Sequence, residues 1–178
     1  MGVKIQETLY SSATRCWAKI PPPRGTGFGG GHLAQKQKKQ SRMTIRILIA
    51  DDHPAVRRGL KSLLEERPGW EVIAEAADGK DAVEIANRLN PDVVVLDLTM
   101  PRMHGLKACR LIRESSPDCE VLIVTQHDSP QMMDEALLCG AKGYVVKSNA
   151  PRDLLAAVEA VSQHRNFIAR NSGATGSN

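Results

Sequence analysis

Residues 93–101 read Val93-Val94-Val95-Leu96-Asp97-Leu98-Thr99-Met100-Pro101. Three consecutive β-branched residues and a leucine, with no polar alternation, predict a strand covered on both faces. The run ends in a carboxylate, and Pro101 cannot donate to a ladder, so regular pairing stops between them. In a chain that alternates strands with helices, ligands sit outside the carboxyl ends of the strands. Asp97 is therefore predicted at the rim of a sheet, partly in the core and partly in a cleft.

The same pattern repeats on both sides of this stretch. Upstream, Ile45-Arg46-Ile47-Leu48-Ile49-Ala50 is another buried strand and stops at Asp51-Asp52. Pro54 suits the first turn of a helix, and Val56, Leu60, Leu63 and Leu64 follow at helical spacing before Pro68-Gly69. Trp70 to Ala76 reads as a strand, and Asp78-Gly79 turns into a helix bearing Ala82, Ile85, Ala86 and Leu89, stopped by Asn90-Pro91. Downstream, Gly105 to Arg113 places Leu106, Cys109 and Ile112 on one helical face, and Val121 to Val124 is a strand ending at Thr125. Ser129-Pro130 is a cap followed by a first-turn proline, opening a helix that runs to Cys139 and stops at Gly140. Gly143 to Lys147 is a short strand, and Asn149-Ala150-Pro151 opens a last helix with Leu154, Leu155, Val158 and Val161 apolar.

Five alternating strand–helix units require a parallel sheet with helices on both faces and short right-handed connections. The predicted fold is an α/β doubly wound five-stranded parallel sheet of order 2-1-3-4-5. That order lines up the ends of the first, third, fourth and fifth strands along one edge.

Residues 1–43 follow a different pattern. Pro21-Pro22-Pro23, the glycines from Gly25 to Gly31 and the lysines and glutamines from Gln35 to Gln40 show no sustained periodicity, which predicts a disordered basic tail. Gly25-Thr26-Gly27-Phe28-Gly29-Gly30 fits a GxGxxG pattern, yet no strand precedes it and no apolar helix follows, so it reads as a chance match. Met43 stands directly before the first strand and is the expected start of translation. The folded part is assigned to residues 44–166, with 167–178 as a second flexible tail.

The tail also explains the charge. Residues 1–43 hold eight of the 24 Lys/Arg and one of the 20 Asp/Glu, leaving 16 basic against 19 acidic residues in 44–178. The sequence pI of about 9.0 is thus a property of the tail, and bulk charge does not assign the mildly acidic folded part to nucleic acid. Cys16, Cys109, Cys119 and Cys139 have no metal-ligand spacing and read as reduced, partly buried thiols. No apolar run approaches the roughly 18 residues a membrane span needs, and no signal-peptide core opens the chain. The expected compartment is the cytoplasm.

On the shared edge the prediction gathers Asp51, Asp52, Asp97, Thr125 and Lys147. Three converging carboxylates repel one another, each close pair by about 4 kcal/mol at an effective dielectric of 20, and so require a cation. Hard oxygen ligands without a Cys or His set point to Mg²⁺, which keeps waters and leaves room for a phosphate oxygen. The Lys147 ammonium adds a second positive charge and Thr125 a hydroxyl donor. A carboxylate nucleophile beside a metal, a lysine and a hydroxyl is an acceptor site for an aspartyl phosphate.

These residues in this order resemble the receiver domain of two-component response regulators, over about Arg46 to His164. The acidic pair is Asp51-Asp52, the phosphoacceptor Asp97, the switch hydroxyl Thr125, the switch aromatic Tyr144 and the lysine Lys147. The strings IADDHPAVRRGL and GAKGYVVK resemble the FixJ/NarL, or LuxR-type, branch in particular. The resemblance implies a flavodoxin-like fold in which Asp52, Asp97 and the Thr99 backbone carbonyl ligate Mg²⁺ directly and Asp51 holds it through water. It implies a sensor histidine kinase as phosphodonor and admits a homodimer. After transfer, Thr125 would move toward the phosphoryl group and Tyr144 would swing inward. Such a chain is a stoichiometric phosphoacceptor rather than an enzyme. Members of this branch continue into a helix-turn-helix domain, whereas this chain ends soon after its last helix, as a stand-alone receiver or a truncated transcriptional regulator. Direct DNA binding is not expected.

Each residue also has a plain structural reading. Asp51-Asp52 can be a solvated turn, Asp97 a cap, Thr125 an ordinary strand residue, Lys147 a surface lysine and Tyr144 simple packing. His53 reads as a loop residue because Mg²⁺ disfavours imidazole, and His104 and His127 as solvent-facing. His127 and Thr99 stand two residues after Thr125 and Asp97, where their side chains can overhang a phosphoryl group. A haloacid-dehalogenase-type phosphatase also uses a strand-end aspartate but wants a second Asp where Thr99 stands. A phosphate-independent pseudo-receiver, or a DNA-binding regulator acting through the basic tail, completes the alternatives.

Overall fold

The chain divides into a unit of residues 1–39 and a unit of residues 40–178, and the computed structural model describes residues 44–169, all within the second. The tail assigned to residues 1–43, with its glycine motif, Cys16 and Met43, lies outside the described residues, as do residues 170–178.

Described elements alternate as β1 (Ile45–Ala50), α1 (Pro54–Glu65), β2 (Trp70–Ala76), α2 (Gly79–Leu89), β3 (Val93–Leu96), α3 (Gly105–Ser115), β4 (Glu120–Thr125), α4 (Pro130–Leu138), β5 (Gly143–Val146), α5 (Ala150–Ser162) and β6 (Phe167–Ile168). Local chemistry sets the boundaries. Asp78 caps α2 by accepting hydrogen bonds from the Lys80 and Asp81 N–H groups, and Asn90 ends it in the left-handed conformation (φ 46°). Proline at the first turn and the Ser129 hydroxyl open α4.

All strand pairs are parallel and the sheet order is β2-β1-β3-β4-β5-β6. The apolar runs are explained by burial on both faces. Leu48, Ala50, Val94, Leu96, Val121 and Ile123 point toward a core shared with α2, α3 and α4. Their neighbours Ile47, Ile49, Val93, Val95, Leu122 and Val124 point toward a second core shared with α1 and α5. Period-two alternation thus splits one hydrophobic run between two cores.

The sheet differs from the five-stranded expectation by one strand. Phe167–Ile168, placed by sequence in a flexible tail, pairs with Gly143–Tyr144 of β5. Phe167 N–H donates to the Lys142 carbonyl (2.9 Å), and Ala169 N–H to the Tyr144 carbonyl (3.2 Å). Two residues are too short to show a period; the open edge of β5 supplies the template. His164, left-handed at φ 60°, turns the chain back, its Nδ1 lying 2.7 Å from Oε1 of the buried Glu120. A second small departure is that Lys147 leaves the strand and opens a 3₁₀ turn, Lys147–Asn149. Among the described residues no helix is long and apolar enough to cross a membrane.

Candidate functional site

The sheet order places four strand ends side by side, and the residue at or just after each carries the chemistry. Asp51 follows β1, with its N–H donating to the Ala76 carbonyl (3.1 Å), and Asp97 follows β3, with its N–H donating to the Ala50 carbonyl (2.8 Å). Both carboxylates stay on the rim because the ladder continues one bond past each strand. Thr125 closes β4, and Lys147 follows β5.

Asp51, Asp97 and Thr125 are buried, at 1%, 4% and 0% exposure. Two buried carboxylates need a counter-charge, and Lys147 supplies it. Its Nζ lies 2.6 Å from Asp51 Oδ2 and 2.7 Å from Asp97 Oδ2. The other Asp97 oxygen, Oδ1, accepts the Leu98 N–H at 2.7 Å, which orients the carboxylate. Burial alone pushes the Lys147 ammonium down, but its contacts with Asp51 and Asp97 outweigh that, and its pKa is raised above the usual lysine value.

Asp52 is more open, and its Oδ1 lies 2.6 Å from Nδ1 of His53, a ring that is 59% exposed. Asp51, Asp52 and His53 each offer one ligand atom within 4.8 Å of the others. Sequence reading left His53 as a loop residue; the fold places its ring inside the acidic cluster. The His53 backbone N–H also donates to Asp51 Oδ1 (2.8 Å), so the residue helps shape the turn as well as touching the acid.

Thr125, Thr99 and Tyr144 all meet at His127. Thr125 Oγ1 accepts the His127 N–H (3.4 Å), Thr99 Oγ1 and His127 Nε2 are 3.0 Å apart, and the Tyr144 hydroxyl donates to the His127 carbonyl (2.6 Å). Tyr144 is only 2% exposed, its ring buried and its hydroxyl tied to the turn after β4. Burial, then the negative charges of Asp128 and Asp97, push its phenol up to about 12.

Arg57 was not legible in the sequence. From α1 it donates to the Asp51 carbonyl (2.7 Å) and to Glu75 Oε2 (3.1 Å), pinning the acidic turn from behind. Nothing distinguishes it from its neighbour Arg58 until the helix is docked.

Two raised pKa values have a consequence at alkaline pH. Tyr144 and Lys147 both hold a proton in the folded state to higher pH than in the unfolded chain. The stability they contribute is complete below about pH 10 and is lost as pH rises through the raised values. In a difference titration of wild type against Tyr144→Phe at 295 nm, the phenol should ionise near pH 12. A midpoint at about 10, the unperturbed value, would contradict the buried, hydrogen-bonded placement.

The residues fit a divalent cation on two counts. Asp51 Oδ2 and Asp52 Oδ1 are buried oxygens with no backbone donor; each meets one side chain at 2.6 Å, Lys147 Nζ and His53 Nδ1 respectively. Three carboxylates, Asp51, Asp52 and Asp97, gather around the one Lys147 ammonium. Oxygen donors of this kind suit Mg²⁺.

Residues 47–159 match the response regulator receiver domain family. The chain is 42% identical over 116 residues to the nitrate/nitrite response regulator protein NarP of Escherichia coli, covering 65% of this chain and 54% of NarP. It is 38% identical over 124 residues to the transcriptional regulatory protein DegU of Brevibacillus brevis, covering 70% of this chain and 52% of DegU. The chain therefore spans about half the length of the curated relatives it matches. Among solved structures, a LuxR-family two-component response regulator from Aurantimonas superposes with a TM-score of 0.67 at 43% identity, over 70% of this chain and 89% of that one. With the strand order, the rim residues and these matches in agreement, the chain belongs to the response regulator receiver family and is a two-component receiver domain of the LuxR/NarL type.

Proposed function

We propose that residues 44–166 accept a phosphoryl group on Asp97 from a sensor histidine kinase in the cytoplasm, and that phosphorylation switches a partner-binding surface. The observation that carries this reading is a single ammonium, Lys147 Nζ, shared between the buried carboxylates of Asp51 and Asp97. It holds an Asp97 oxygen ready and offers positive charge where a phosphoryl oxygen would gather negative charge.

In this reading the Asp97 carboxylate attacks phosphorus, a P–O bond forms as the donor's P–N bond breaks, and the departing imidazole takes a proton. Asp52, Asp97 and the Thr99 carbonyl, with Asp51 beside them, would hold Mg²⁺, whose chemistry would be to neutralise charge on the transferring oxygens. Lys147 then turns part of its charge from Asp97 to the phosphoryl group, and Thr125 donates its hydroxyl to it. Thr125 and Tyr144 bond opposite ends of the His127 residue, so movement of one is transmitted to the other and to the start of α4. The chain is a stoichiometric phosphoacceptor, turning over no substrate beyond its own phosphoryl group. Its output, through a homodimer or a DNA-binding part of a longer regulator, follows the pattern of its LuxR-type relatives.

Mg²⁺ titration by calorimetry tests the metal half. Wild type should bind at about millimolar strength, as expected for an ion that keeps several waters. Asp52→Ala should remove the binding, and an unchanged affinity in that variant would count against the assigned ligand set.

A further inference from the structure

The loop from Leu98 to His104 carries Thr99, and Thr99 lies exposed between two anchored neighbours, Leu98 and Met100, both buried in the core. Gly105 N–H closes the loop by donating to the Leu98 carbonyl (2.8 Å). The far side of the loop turns on Arg102, whose φ of 59° is left-handed. That conformation suits glycine or asparagine, and an arginine there is uncommon.

Its side chain supplies the reason. The Arg102 guanidinium crosses to the first turn of α2, where one nitrogen pairs with Asp78 Oδ2 and lies 2.7 Å from Asp81 Oδ2. Asp78 divides its two oxygens between two tasks. Oδ1 accepts the N–H groups of Lys80 (2.8 Å) and Asp81 (3.0 Å), capping the helix, while Oδ2 takes the arginine. Asp78 is only 2% exposed, so its free carboxylate oxygen requires a partner. Beside it, Gly79 leaves room for the Met103 carbonyl, which a Cβ at that position would strike. The loop is thus stapled to α2 at adjacent points.

We propose that Arg102 is a positioning residue for the metal side of the site. By clamping the β3–α3 loop onto α2 it fixes the Thr99 peptide relative to the acidic turn after β1. The inference rests on the metal-binding reading above and assigns a role to a residue that touches neither the acceptor nor the acidic cluster. Arg102 was invisible in the sequence because its partners, 24 and 21 residues away, are brought to it only by packing α2 against the loop.

The test uses the full chain in three forms: wild type, Arg102→Gly and Arg102→Lys. Glycine removes the clamp while relaxing the left-handed backbone; because it also leaves the buried Asp78 Oδ2 without its partner, the β-strand amides serve as the control that the variant is folded. Mg²⁺ affinity by calorimetry should fall about 10-fold in Arg102→Gly, the usual scale for losing an outer partner of a metal ligand, and recover in part in Arg102→Lys. Hydrogen exchange of the amides of residues 98–103, measured without metal, should speed up in Arg102→Gly while the β-strand amides stay unchanged. An Mg²⁺ affinity within about two-fold of wild type overturns the positioning role. If wild type itself binds no Mg²⁺, the metal reading of the site fails and the role fails with it. In that case unchanged loop exchange in Arg102→Gly would refute the clamp as well, whereas faster exchange would leave the clamp standing without its metal.

Discussion

Asp97→Asn will fold and will not be phosphorylated. The amide has nearly the shape of the carboxylate but no anionic oxygen with which to attack phosphorus. Incubated with acetyl phosphate and Mg²⁺, wild type should gain a hydroxylamine-sensitive acyl phosphate, and the variant should stay at background. Stability should change modestly, because one side of the amide now meets a donor it cannot satisfy. With its oxygen toward the Leu98 N–H, its NH₂ faces Lys147; flipped, its NH₂ faces the Leu98 N–H. Losing one charge-assisted hydrogen bond in this way costs about 1.5–3 kcal/mol. Lys147 keeps Asp51 as its partner at 2.6 Å, which is why the site does not collapse. Persistent labelling of the variant at an acyl phosphate would remove Asp97 from its role.

The largest effect on stability should come from Gly105→Ala. A Cβ at Gly105 would fall on the carbonyl oxygen of Asp97 and lies 2.7 Å from the Leu98 Cα. Both obstacles are backbone of the acceptor's own loop, so no flexible side-chain end can move aside. Overpacking typically costs about 1–3 kcal/mol, and with backbone on both sides of the clash, relief requires the acceptor's loop and the start of α3 to move apart. Urea denaturation should therefore show a sharply lower midpoint, and phosphorylation should fall with it. Gly59 is the internal control. It lies within α1 and has nothing within 4 Å of its ideal Cβ, so Gly59→Ala should stabilise by about 0.5–1 kcal/mol through helix propensity. Equal midpoints for the two alanine variants would refute the close approach at Gly105.

Most of the fold was readable because its signals are local. The run Val93–Leu96 declares a strand buried on both sides, Ser129-Pro130 a helix start, and Asn90-Pro91 a helix stop. Parallel order and right-handed crossovers then leave few topologies, and the same logic gathers Asp51, Asp97, Thr125 and Lys147 at adjacent strand ends. The sixth strand escaped because Phe167–Ile168 carries no period of its own and exists only by pairing with β5. The partner of Tyr144 escaped for a similar reason, since its hydroxyl finds the His127 carbonyl 17 residues away.

By itself, then, the order of residues determined the alternation of elements, the edge on which chemistry collects and the types of group found there, because hydrophobic period and turn chemistry act over a few residues. Tertiary structure alone decided the pairings: one lysine between Asp51 and Asp97, the His53 ring against Asp52, Arg57 behind the acidic turn and Arg102 across to Asp78. Those contacts depend on where whole helices dock, and docking is set by burial of two cores rather than by any neighbour along the chain.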